Sequence, residues 1–124
     1  MNYKAMNNKK HLWTTIALFN LCIVAVLGLT LRSKILFPLR GIDFSHVLHA
    51  HSHFAFSGWI TLALMALMTY EILPDHHNNK RIYTVLLTCT LITSAGMLVS
   101  FLYEGYAFLS ILCSTLFIVV TYAF

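Results

Sequence analysis

Charged side chains are scarce: only 10% of the 124 residues are Asp, Glu, Lys or Arg, while 59% are hydrophobic and the mean hydropathy is +0.77. A soluble domain carries about a quarter charged residues. With so few, the chain lacks the polar surface to cover a water-soluble globule, and a soluble domain is excluded. Proline is scarce too, and both prolines, Pro38 and Pro74, fall between apolar runs and not inside them. The three cysteines (Cys22, Cys89, Cys113) lie in three separate apolar stretches, with no C-x-x-C or C-x-x-C-H spacing. That argues against a disulfide framework and leaves them as small packing residues. No repeat of 20–50 residues is visible. The net charge of +4 raises nucleic acid as a partner, but no basic patch with interleaved aromatics exists. The cations sit near the ends of apolar runs, where they act as topology signals.

What the chain has instead is long uncharged runs. Residues 1–11 are polar and basic, and read as a cytoplasmic N-terminus. Leu12 to Leu31 is charge-free and is closed by Arg32 and Lys34. Twenty helical residues cover about 30 Å, the hydrocarbon thickness. A signal peptide would have an apolar core of only about 7–15 residues and a small-residue cleavage site, so an uncleaved first helix is the better reading. Pro38 and Gly41 mark a connection, Phe44 to Tyr70 is again uncharged, and Pro74 with DHHNNKR (75–81) makes a turn. Glu104-Gly105 is a second, tighter turn. The predicted architecture is an all-α integral membrane protein, with one helical membrane domain over 12–124 and four spans near 12–32, 44–73, 82–103 and 106–124. The chain is still apolar at Phe124, so a longer parent, with these helices opening a larger bundle, is expected.

Lys4, Lys9, Lys10, Lys80 and Arg81 against Arg32, Lys34 and Arg40 favour a cytoplasmic N-terminus. This puts the start of the second helix near the outer face. Trp13, Tyr70, Tyr103 and Tyr106 are placed as interfacial anchors. Met65, Met68 and Met97 are assigned to the core. Gly96 and Ser100, four apart, should let a neighbouring helix approach closely.

The chemistry concentrates in Ser45–Trp59, SHVLHAHSHFAFSGW, with His46, His49, His51 and His53 at the start of the second helix. At about 100° per residue, His46, His49 and His53 fall within about 60° of one another, and His51 points roughly the other way. Ionisable groups in a span are costly and usually face a cavity, a cofactor or one another. Burial favours neutral imidazole, whose lone pair binds haem iron or another transition metal. Such a ligand needs its other ring nitrogen anchored, by a neighbouring histidine, Ser52 or a backbone carbonyl. The plainer alternative is hydration at headgroup level, which suits His46 best. His76 and His77 beside Asp75 read as solvated loop residues.

L-H-A-H (48–51) followed by F-A-F-S-G (54–58) resembles the second transmembrane helix of subunit I in the haem-copper oxidase superfamily, above all its C-type oxidase and nitric oxide reductase branches. The resemblance covers about a dozen residues and the order of spans. It implies that His49 is an axial ligand of a low-spin haem b. His53, one turn further on the same face, is the first substitute, and His51, an alternative that faces away, is better cast as a packing group or a support to the ligand. His51 stands where related branches often have asparagine. It also implies that the second axial ligand and the copper-site histidines come from later helices; the third and fourth spans here hold no histidine. The parent would then be an oxidoreductase and this chain a haem-binding electron-transfer portion without the catalytic centre. Its expected setting is the bacterial inner (plasma) membrane, among lipid, further helices of the parent or other respiratory subunits.

Three other functions compete. A di-iron enzyme of the desaturase class is suggested by H-A-H-S-H and the D-H-H turn, but these lie about 23 residues, or roughly 35 Å, apart along one helix. A transition-metal or proton carrier would line its path with the histidines. A non-catalytic membrane subunit would use them for neither.

Overall fold

The computed structural model describes residues 3–37, 41–73 and 80–124. Pro38, Arg40, Pro74 and the Asp75-His76-His77 run lie outside these, so the readings made on them stay with the sequence. Among the described residues there are four helical rods: α1 (Tyr3–Leu36), α2 (Phe44–Ile72), α3 (Lys80–Glu104) and α4 (Phe108–Ala123). Each packs against the next in chain order, giving an open row of helices. Three stretches, Asn8–Leu36, Phe44–Ile72 and Arg81–Glu104, are long and apolar enough to cross a membrane. The fourth helix has 16 residues, about 24 Å, and falls short of a hydrocarbon core of about 30 Å.

The first helix starts at Tyr3, well ahead of the apolar run that announces it. Hydropathy reports where lipid would lie, whereas helical hydrogen bonding continues through Lys and Asn into polar surroundings. Apolar side chains cover much of the outside: Leu29 is 67% exposed, Phe56 69% and Phe108 81%. Water would not tolerate such a surface, and lipid does.

Two buried clusters hold the row together. One joins Trp13 of α1, Leu62, Met65 and Ala66 of α2, and Leu87 of α3. The other joins Ala50 of α2 to Met97 and Phe101 of α3, with Cys113 and Phe117 of α4 packed against it. Trp13 is therefore core and not an interfacial anchor, because its large ring fills the gap between three helices. Met65 and Met97 are buried as expected, but Met68 is exposed on the outer side of α2. Gly96 lets α3 and α4 close up: a Cβ there would stand 2.9 Å from the Cys113 sulfur. Buried hydroxyls satisfy themselves on the preceding turn, as when Thr69 donates to the Met65 carbonyl at 2.8 Å and Ser100 to that of Gly96 at 2.7 Å.

The second helix is not uniform. Ala55–Thr61 and Met68–Ile72 are π-helical, wider turns that uniform apolar sequence does not announce. Gly58 sits in the first of them under the Phe54 ring, where a Cβ would come within 2.4 Å of the ring. At the same point the buried Asn20 of α1 donates its amide N–H to the Gly58 carbonyl at 2.6 Å. At the far end of this seam Lys10 and Glu71 form an ion pair.

Candidate functional site

The start of α2 is fixed by Asp43, whose extended backbone (φ −80°, ψ 124°) precedes the helix. Its carboxylate accepts from the N–H groups of Ser45 at 2.8 Å and His46 at 3.2 Å, satisfying two donors that no helical carbonyl can reach. The His46 N–H is the largest influence holding the Asp43 carboxyl below its ordinary value. Burial opposes it as the second-largest influence, and the Ser45 N–H and the charges of His46 and Lys34 add smaller lowering effects. An ionised cap also complements the helix N-terminus. With the first turn pinned, the phase of all four histidines is set.

Three of them face the corner between α3 and α4. His46 lies against Gly105, whose positive φ of 63° makes the turn and whose missing Cβ leaves room for the imidazole. His49 and His53, one turn apart, share a niche built by Phe101 of α3 and Tyr106 of the turn. The His53 ring stacks on Phe101 at 4.4 Å between centroids, and its Nε2 lies 3.1 Å from the Tyr106 hydroxyl. The His49 ring meets Tyr106 edge-on at 4.8 Å. It makes ring contacts, but its nitrogens carry no hydrogen bond to the described residues.

His51 faces the other way, into the seam with α1. Its Nδ1 lies 3.0 Å from the backbone carbonyl of Val24. A carbonyl oxygen only accepts, so Nδ1 must carry the hydrogen and donate it. In the neutral ring this leaves the lone pair on Nε2. Gly28, one turn beyond Val24, makes the approach possible: a Cβ there would stand 3.2 Å from the His51 Cε1. Gly28 is the one glycine of the first apolar run, and that is the signal by which the contact could have been anticipated. Ser52 bonds only to carbonyls of its own helix and anchors no imidazole.

Two grooves lie along α2, and neither includes His49, His51 or His53. One, of about 300 Å³, opens beside Asp43, His46 and Thr30. The other, of about 130 Å³, lies between Thr14 and Ala17 of α1 and Trp59 and Ala63 of α2. Among the described residues no group of three or more His, Cys, Asp or Glu side chains converges to hold a metal ion. One anchored imidazole on one face and two on the other are what the helix offers. Sequence reasoning placed Tyr106 at the membrane interface and assigned nothing to Phe101, Val24 or Gly28, all of which contact the histidines. Scans of family models, curated proteins and solved structures find no match to this chain.

Proposed function

We propose that this chain is an integral membrane protein with a cytoplasmic N-terminus, in which α1, α2 and α3 cross the bilayer and the shorter apolar α4, the fourth span read from sequence, enters it. In this reading the outer half of α2 supplies an axial imidazole to haem b, in an electron-transfer unit resembling the start of a terminal oxidase or nitric oxide reductase subunit. One observation carries the reading: the His51 Nδ1–H···O=C bond to Val24. A histidine that ligates a metal characteristically donates its other ring N–H to a carbonyl or carboxylate, which fixes tautomer and ring plane and raises basicity. Of the three candidates read from sequence, His51 alone has that support. Its Nε2 carries no hydrogen bond to the described residues. Exposed apolar side chains of the same helix, Leu48 and Phe56, suit the flat apolar body of a porphyrin. By this argument His51 moves ahead of His49, and His53 follows because Tyr106 engages its Nε2.

In this reading the Val24-anchored imidazole of His51 would fill one axial position. When bound, haem supplies a one-electron iron couple. The chain's own contribution is to hold the imidazole neutral and oriented, through Val24, and to keep water from it with apolar side chains. A second axial donor would come from a further helix or subunit seated on the open row.

The test is a haem b titration of the purified chain in detergent micelles, read by absorption. The expected result is a Soret shift that becomes six-coordinate and low-spin on adding free imidazole as the missing ligand. His51→Ala should abolish the shift, and His49→Ala and His53→Ala should keep it. Loss in His49→Ala with retention in His51→Ala would return the ligand to the position implied by the family resemblance. No Soret shift at any haem concentration would refute the reading.

A further inference from the structure

The haem reading uses only the α1-facing side of α2 and leaves His49 and His53 without a role. Imidazoles at i and i+4 lie on one helix face, 5–6 Å apart at Cβ, the spacing from which two rings can reach one ion. Both rings here enter the same niche. Phe101 is fully buried and stacks on His53, so that ring is held in one plane. Tyr106 touches both rings and brings its hydroxyl to 3.1 Å from the His53 Nε2. The His49 nitrogens have no hydrogen bond to compete with a metal. Tyr106 is 60% exposed, so the niche has an open side through which an ion and its waters can enter.

We infer that His49 and His53 form a two-imidazole chelate for a divalent transition-metal ion, with the Tyr106 phenol oxygen as third donor. The donor set selects the metal class. Two imidazoles and a phenol favour copper(II), nickel(II) or zinc(II), and disfavour calcium or magnesium, which want carboxylate and carbonyl oxygens. Of the carboxylates flanking these residues in sequence, Asp43 is committed to capping the helix, and Glu104 does not converge on the pair. Since no third His, Cys, Asp or Glu joins the pair among the described residues, phenol and water complete the coordination, and the metal stays exchangeable. The inference does not rest on the haem reading, because His51 takes no part in it.

Copper(II) alone is the probe, added to the full chain in detergent micelles and followed by calorimetry and electron paramagnetic resonance. The background carries His76→Ala and His77→Ala, which removes the other imidazole-rich run. One copper per chain with nitrogen hyperfine structure is expected. His49→Gln and His53→Gln, which keep a polar side chain of similar reach, should each weaken binding by at least the order of tenfold that loss of even an outer partner costs a metal ligand. His51→Gln should leave copper affinity unchanged while removing the haem response, so the two proposals fail separately. Unchanged copper affinity in either His49→Gln or His53→Gln overturns the chelate, and an unchanged spectrum in Tyr106→Phe removes the phenol from it. A second measurement needs no variant at the site. Copper should protect His49 and His53 from diethyl pyrocarbonate, read by mass spectrometry, and equal modification of both with and without copper also overturns the proposal.

Discussion

Replacing Gly58 by alanine adds a single methyl group at the most crowded point of α2. That methyl would lie 2.4 Å from the Phe54 Cε2 and 2.7 Å from Cδ2, against an optimal carbon–carbon separation of about 3.5–4.0 Å. An exposed ring could swing aside, but Phe54 is 2% exposed and its surroundings are filled. Overpacking of this kind costs about 1–3 kcal/mol. Alanine offsets up to about 1 kcal/mol of that through its better helix propensity. With Phe54 enclosed the upper part of the overpacking range applies, about 2–3 kcal/mol, and subtracting about 1 leaves a net loss of about 1–2 kcal/mol. Unfolding in mixed detergent micelles, followed by circular dichroism, reads it directly. Adding Phe54→Leu to Gly58→Ala should recover part of the loss, a coupling expected only of residues in contact. Stability of Gly58→Ala equal to or above the parent would refute the reasoning, as would strictly additive effects in the double variant.

Gly28→Ala should leave stability near the parent's, since a methyl 3.2 Å from the His51 Cε1 asks only a small ring shift. The same shift should weaken the Val24 bond and the haem response, and an unchanged titration would count against the anchoring argument. Asp43→Ala should lower the melting temperature and Asp43→Asn, which still caps, should lower it less. Because the folded Asp43 has a depressed pKa, its stabilisation is complete above the unfolded carboxylate value of about 3.9 and fades as pH falls through the lower folded value. An acid melting curve for Asp43→Asn that follows the parent's through this window would show the carboxylate contributes nothing there. Lys10→Ala should change stability by no more than about 1 kcal/mol, since the Glu71 pair is roughly half exposed. For topology, cysteine at Asn8 and at Asn78 should resist membrane-impermeant labelling from outside the cell, and labelling of either would reverse the proposed orientation.

Run length and charge spacing made the helices legible, because the demand for about 20 apolar residues is imposed by any bilayer. The opposed faces of His51 and of His49 with His53 were legible for an equally local reason, the 100° step of the helix. The partners were not. Tyr106 meets His53 across 53 positions and Val24 meets His51 across 27, and no periodicity encodes which neighbour a helix face will meet. Trp13 illustrates the same limit: its place near a span end suggested an interface, and only packing against Leu62 and Leu87 reveals a core residue. The π-turns escaped because widening a turn changes no residue type, although Gly58 beneath Phe54 is the mark such a turn leaves.

The seam between α1 and α2 is held by directional bonds at two depths, Asn20 to Gly58 and His51 to Val24. Both need only the first two helices. A hairpin of α1 and α2 alone therefore contains both bonds that fix its register. A register slipped by one residue would leave an amide and an imidazole unpaired in apolar surroundings, a penalty that sorts correct from incorrect pairings at once. The histidine phase that α2 presents to α3 and α4 is thus tied to α1 as well as to the Asp43 cap.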